Sequence, residues 1–363
     1  MKKIVFVFAA AAVLAACTKT EVIPVRNDAD VEITFETSPI TKTLSNSQKE
    51  FTHGNVFASY AYSHEKAWDW GASETPNLYI GKEDAKTKVI TPATISWVGN
   101  ETTGVWKDAT RAYYWPKSLK LTFFAWSLNK ASLDFASNSD TQVTCSPFQG
   151  IVMAYYDVAK DKNVDFLVAD IAADKTQNED KIYVHEGVPT LFHHKLSMME
   201  FTAKVKSADY AANGITFTLD TVRFKNVADG VGTYCQRDPI DGKEKLATSY
   251  SKTTQIYSAT SQVVKNTTAT DVTGVDQYIY IPQSFTNSNQ VLEIVYTIDY
   301  DTDKDGTVEV SEPVTETIEL SDLTGDWGIG KKYIINIIFS LDEILWDPAV
   351  EDWTGVTENV PIG

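Results

Sequence analysis

The chain is poor in cysteine and histidine, with three of one and five of the other in 363 residues. Three cysteines are too few for a disulfide framework, and no histidine pair stands at metal-ligand spacing such as His-Glu-x-x-His. There is no Gly-x-Ser-x-Gly elbow, and neither Cys145 nor Cys235 has a local partner that would activate a thiol. Basic residues are scarce too, 32 against 49 acidic ones, for a formal charge of −17. A surface so acidic repels phosphate, which excludes nucleic acid as a partner. Past the first residues no apolar run approaches the ~20 residues of a membrane helix. Long stretches of helical spacing are also missing.

The N-terminus holds a different signal. Lys2 and Lys3 precede the apolar run "IVFVFAAAAV", which is too short to span a bilayer and closes on "LAAC", Leu14 to Cys17. That order reads as a cleaved leader over residues 1–17. A Leu-Ala-Ala-Cys ending resembles the bacterial lipobox, which implies that Cys17 becomes a lipidated N-terminus. The alternative is an ordinary signal peptide cut near Ala16. With lipid chains attached, the anchor is durable, because each buried methylene contributes about 0.8 kcal/mol.

Beyond the leader the chain is rich in Thr, Val, Ile, Tyr and Trp, residues suited to half-buried pleated surfaces. Alternating runs recur: "NVFASYAY" from Asn55, "KLTFFAW" from Lys120, "SMMEFTAKV" from Ser197, "GITFTLDTVRF" from Gly214, "VLEIVYTID" from Val291 and "KYIINIIFSL" from Lys332. Turn-rich pieces such as "ASNSD", "AANG" and "TNSN" separate them. The pattern predicts an all-β protein built of sandwiches. The polar stretch "DKTQNED" before the apolar "VPTLFHHKLSMMEF" predicts two domains, 43–189 and 190–363. Cys145 and Cys235 then fall in different halves, which predicts two buried free thiols.

Several stretches touch known chemistry. "DTDKDGTVEVSE" fits a calcium loop, with Asp301, Asp303 and Asp305 at places one, three and five, Gly306 at six and Glu312 at twelve. Its flanks read as strands rather than the helices of an EF-hand, so the competing reading is a hairpin tip, with calcium at most a structural clip. "GDWGIGKK" approaches a phosphate loop, but Lys332 stands where a hydroxyl is required and a strand follows, so it reads as a turn. His193 and His194 are strand neighbours facing opposite ways, unable to share one metal easily. Trp68 and Trp70 in "AWDWG" could stack on a sugar or pack as core, and "RAYYWPK" from Arg111 reads as packing. No constellation supports an enzyme, short of a carboxylate pair assembled only by folding.

Taken in order along the chain, these pieces resemble one family. They are the lipobox at Cys17, "ITFET" from Ile33, "GNVFASYAY" from Gly54, "YYWPKSLKLTFFAW" from Tyr113 and "VDFLVA" from Val164. Further on come "LFHHKLSMMEFTAKV" from Leu191, "YIYIPQSF" from Tyr278 and "WGIGKKYIINIIFSLDEILWDPAVEDW" from Trp327. Together they are similar to the fimbrillins, lipoprotein subunits of the type V pili of Bacteroidales. The resemblance implies two transthyretin-like β-sandwich domains in tandem, an outer-membrane or surface location, and a role as shaft, tip or anchor in a pilus. It also implies that a trypsin-like protease removes the first strand, whose groove then takes the C-terminal strand of another subunit.

That logic divides residues 18–42 into linker and removable strand. "VEITFET" places Val31, Ile33 and Phe35 on one face. Cutting after Lys42 would remove all three, whereas cutting after Arg26 would leave them. The competing expectation is a permanent edge strand. In the tail "GVTENVPIG", Val356, Val360 and Ile362 share a face, interrupted by Glu358, and form the expected donor strand. Expected partners are other pilus subunits, the outer membrane through lipid on the precursor, the processing protease, and a host protein or glycan. The second reading keeps the chain uncleaved, as a pilus anchor or a glycan-binding surface lipoprotein.

Overall fold

A computed structural model describes residues 30–37, 51–158, 160–161, 164–177, 187–228, 232–248, 252–257, 261–272, 278–286, 289–341 and 345–352. Strands dominate; the two α-helices among the described residues, Asp209–Ala212 and Leu320–Leu323, are single turns. No helix among the described residues is long and apolar enough to cross a membrane. The all-β expectation therefore holds.

The first sheet is ten-stranded. Its main strands are β1 (Phe35–Glu36), β2 (Val56–His64), β3 (Ala93–Val98), β4 (Val105–Asp108) and β5 (Lys120–Ser127). A hairpin comes next, β6 (Gln142–Ser146) and β7 (Gly150–Tyr156), and belongs to a separate sheet. The first sheet resumes with β8 (Leu167–Ala169), β9 (Val188–Pro189) and β10 (Phe192–His194). Their order across it is β9-β1-β4-β3-β2-β5-β8-β10. The two ends of that path, β9 and β10, are separated by two residues of chain, so the sheet curls back on itself.

Both faces of the sheet are buried, which explains the near-continuous apolar run of β5. Leu121, Phe123 and Ala125 face one core with Phe57, Ile95, Trp106 and Trp115. Phe124 and Trp126 face a larger core that continues into the second half of the chain.

That half contributes β11 (Ser197–Val205), β12 (Ile215–Ala228), β13 (Gly232–Cys235), β14 (Lys245–Thr248), β15 (Val291–Tyr300), β16 (Val310–Glu319), β17 (Lys331–Phe339) and β18 (Leu345–Asp352). β11 and β17 run parallel, with β18 antiparallel beside β17; β12, β15 and β16 form the facing sheet. In β12 the buried positions shift phase, from Phe217 and Leu219 to Val222 and Phe224. A register shift between Leu219 and Thr221 accounts for it, because one extra residue keeps the apolar side inward.

Two features of the organisation go beyond what was expected. The change of sheet comes a few residues past the expected 189/190. Pro189 pairs with Glu36 and β10 still belongs to the first sheet, so the chain changes sheets between His194 and Ser197. The halves are not separate. β13 leaves the second half and pairs with β7, and β14 pairs with β13, completing a four-stranded sheet in the order β14-β13-β7-β6. Gln236 pins this junction, its Oε1 accepting from Ile151 N at 3.0 Å and its Nε2 donating to Ala169 O at 3.0 Å.

Cys145 on β6 and Cys235 on β13 thus flank the same strand, opposite the adjacent residues Ile151 and Val152. Two strand spacings separate them, about 10 Å, beyond the roughly 7 Å a disulfide tolerates. Both are free; Cys145 is buried as expected, whereas Cys235 is half-buried.

Candidate functional site: an intercalated first strand

Residues 30–37 do not form an edge strand. β1 lies between two partners, antiparallel to β4 through Phe35 and Trp106, and parallel to β9 through Phe35–Val188 and Glu36–Pro189. Hydrogen bonds reach both walls. On one side Ile33 N donates to Tyr113 O at 2.8 Å and Trp115 N donates to Val31 O at 2.9 Å. On the other, Val188 N donates to Thr34 O at 2.7 Å and Thr190 N to Glu36 O at 2.8 Å. The competing expectation of an edge strand is not met, because the segment has a backbone partner on each side.

Period-two alternation sends Ile33 and Phe35 into the slot, 2% and 6% exposed, with Val31 half-buried behind them. Phe35 sits edge-on to Phe57 at 5.5 Å and to Phe123 at 5.9 Å. Burying two such side chains stabilises the protein by about 1.5–3 kcal/mol each. Gly187 fits the wall because it lacks a Cβ, which would lie 2.7 Å from the Phe35 carbonyl carbon and 2.8 Å from its nitrogen. At the rim, the Lys107 ammonium contacts the Glu32 carboxylate at 2.9 Å. Burial, and after it the Asp30 carboxylate, raises the Tyr79 phenol above its ordinary value; its hydroxyl donates to the Tyr114 carbonyl.

Three of the residues singled out for this site, Val31, Ile33 and Phe35, are thus brought together. Cys17, Arg26, Lys42, Val356, Val360 and Ile362 lie outside the described residues. The slot's walls escaped sequence reasoning. Lys107, Trp115, Gly187 and Val188 are far from residue 33 in the chain, and each looks like ordinary strand or turn material.

The acidic loop differs from the calcium template. Asp301, Asp303 and Asp305 converge with Glu309, their ligand atoms within 4.8 Å of one another, and not with Glu312. Glu312 is already within β16, opposite Ile298, because the hairpin closes sooner than a helix-flanked loop would. These four carboxylates could hold a hard cation. Each already accepts local bonds, such as Gly306 N to Asp301 Oδ2 at 2.9 Å and Thr302 N to Glu309 Oε2 at 2.6 Å. A hairpin tip thus accounts for all of them.

The other candidates serve packing. His193 pairs with Asp170 at 3.1 Å and His194 with Asp165 at 2.9 Å, two separate aspartates as opposite faces require. Trp68 and Trp70 are edge-on to each other and to Phe124, and the Arg237 guanidinium covers Trp70 at 5.1 Å, so they offer no flat platform. Trp115 packs edge-on against Phe123. "GDWGIGKK" holds a two-residue strand, Asp326–Trp327, and then a turn entering β17, with Gly325 and Gly330 at positive φ.

Comparison with known proteins agrees with this architecture. A comparison with curated proteins found no match. A solved fimbrial protein from Bacteroides vulgatus is similar in fold at a TM-score of 0.61 and 15% identity, covering 89% of this chain and 99% of that one. A protein from Bacteroides uniformis assigned to cell adhesion aligns over 89% of this chain and 99% of its own at 13% identity, with a TM-score of 0.49. The fimbrillin-like family model matches residues 64–353. That match takes in most of the sequence, and the chain belongs to the fimbrillin-like family.

Proposed function

We propose that this chain is a structural subunit of a surface pilus, contributing to adhesion, and not an enzyme. It is exported as a lipoprotein through Cys17, so that the precursor is held at the outer membrane. A trypsin-like protease cuts after Lys42 and frees residues 30–37; a cut after Arg26, the second choice, would leave them in place. The strand borne by Val356, Val360 and Ile362 of one subunit then enters the slot of the next. Such head-to-tail contact does not close on itself and builds a filament.

The observation that carries this reading is the intercalation of residues 30–37 between β4 and β9. Their loss would leave the Trp115, Val188 and Thr190 N–H groups unpaired. It would also uncover Phe57, Trp106 and Phe123, which are 0%, 3% and 3% exposed with the strand in place. Unpaired donors beside an open core are the surface that strand addition satisfies.

The test is the N-terminal residue of subunits in assembled fibres, by intact mass and terminal sequencing. Thr43 is expected. Fibres whose subunits keep a lipidated Cys17, or begin at Asn27, would refute strand release; the first result would mark an uncleaved anchor.

A further inference from the structure

One ion pair reaches the strand at the rim of the slot. Lys107, next to the buried Trp106, extends its ammonium along the outer side of the strand to both Glu32 oxygens, at 2.9 and 3.2 Å. The two side chains are 27% and 31% exposed, partly shielded from solvent by the strands around them. Among the described residues Glu32 is the ammonium's only partner. Once residues 30–37 leave, that cation stands alone on the wall of an apolar groove.

We propose that Lys107 is a specificity-determining residue of the slot. It selects, from a different subunit, a strand that carries a carboxylate between two of three alternating apolar side chains. This rests on the removable-strand reading above. Strand geometry fixes the phase: residues that fill the core alternate with those that face outward, so the carboxylate must be out of step with the apolar set. Val31, Glu32, Ile33 and Phe35 meet that requirement.

The chain's own tail does not. Its apolar residues Val356, Val360 and Ile362 are in step with Glu358, and the alternate positions are Gly355, Thr357, Asn359 and Pro361. Running the strand in the other direction changes nothing, because phase is unaffected by polarity. A second copy of this chain would therefore leave Lys107 without a counter-ion, and pairing it with Glu358 would turn the three apolar residues outward. The slot is matched to another subunit of the filament, while this chain's tail serves a different acceptor.

The test uses the full chain nicked after Lys42, in which residues 30–37 are held by noncovalent contacts alone. Dye-labelled peptides compete for the slot: VEITFET, its neutral analogue VQITFET, and the tail sequence GVTENVPIG. VEITFET is expected to bind about fivefold more tightly than VQITFET, as for a partly exposed ion pair, and more tightly than the tail peptide. Lys107→Gln should abolish the difference between the first two, and Lys107→Glu should favour VKITFET, a rescue that a misfolded variant could not give. Equal binding of VEITFET and VQITFET, or tail-peptide binding as tight as VEITFET, overturns the proposal. Exchange of none of the peptides overturns the removable strand, and the proposal with it.

Discussion

Replacing Phe35 by Ala tests the slot from the inside, because the side chain should matter before cleavage and not after. In the intact chain Phe35 is 6% exposed and makes edge-to-face contacts with two rings, Phe57 and Phe123. Buried Phe→Ala changes cost about 3–5 kcal/mol. The low end applies here, about 3 kcal/mol, because Val31 and the groove rim can settle partly into the space. Against the roughly 5–15 kcal/mol that holds a domain folded, this is a large fraction. Urea titration followed by tryptophan fluorescence reads it directly, since Trp106 and Trp115 line the same core. After cleavage and removal of the strand, variant and wild type have the same sequence and must unfold alike. A loss under about 1 kcal/mol in the intact chain, well below the expected cost, would show that the strand is not seated as described. A loss that persists unchanged after cleavage would show that it never leaves.

Other outcomes rest on the same structure. Gly187→Ala should displace Phe35 from the wall, since its Cβ would meet that backbone at 2.7 Å; the intact chain should lose about 1–3 kcal/mol, read by the same titration, and release the strand faster once cut. Gln236→Ala removes two bonds that tie β13 to the first half, and should lower the melting temperature through a loss of about 1–3 kcal/mol. Asp170, held low chiefly by its hydrogen bond to His193, and Asp238, held low chiefly by Lys245, have folded pKa values below the unfolded one. Their contribution is present above about pH 4 and is lost as pH falls through the folded values, so a pH series of melting temperatures should drop on the acid side. Burial raises the Tyr156 phenol, so it ionises first in the unfolded chain and stability should also fall above about pH 10. Burial likewise raises the Cys145 thiol, which should resist a thiol reagent until the chain unfolds, and mild oxidation should not join it to Cys235.

Much of the fold was legible because alternation is local. "KLTFFAW" and "VLEIVYTID" announce β5 and β15, and the phase of Val31, Ile33 and Phe35 announces which side of the first strand is buried. What alternation cannot carry is the identity of a strand's neighbours. Glu32 and Lys107 are 75 residues apart, and β9 lies further still, so nothing near residue 33 says that it has a wall on each side. The competing expectation of an edge strand failed for that reason. The domain boundary moved for a related one: β13 and β14 look like an ordinary hairpin of the second half, and only the pairing of β13 with β7 shows that they complete a sheet of the first.

The calcium template failed at Glu312 through chain geometry rather than chemistry. A helix-flanked loop spaces its last ligand twelve places on, but a hairpin must turn back sooner, and β16 has begun by Val310. Glu309 therefore supplies the carboxylate near Asp301. Within β16 the positions in phase with the core side are Val310, Glu312, Val314, Glu316 and Ile318, opposite Tyr300, Ile298, Tyr296, Ile294 and Leu292, and of them Val310, Glu312 and Glu316 stay exposed. Two carboxylates and Pro313 thus interrupt a ten-residue strand at the margin of its sheet. Charge in the core-side phase and proline on an outer strand discourage further pairing there. The contrast with the first sheet is informative. A long strand bearing charge and proline marks the margin, whereas β1 carries its charges only on the outward side and is embraced from both. Within one chain, the placement of carboxylates relative to the apolar phase separates the backbone that is closed to a partner from the backbone that a partner could enter.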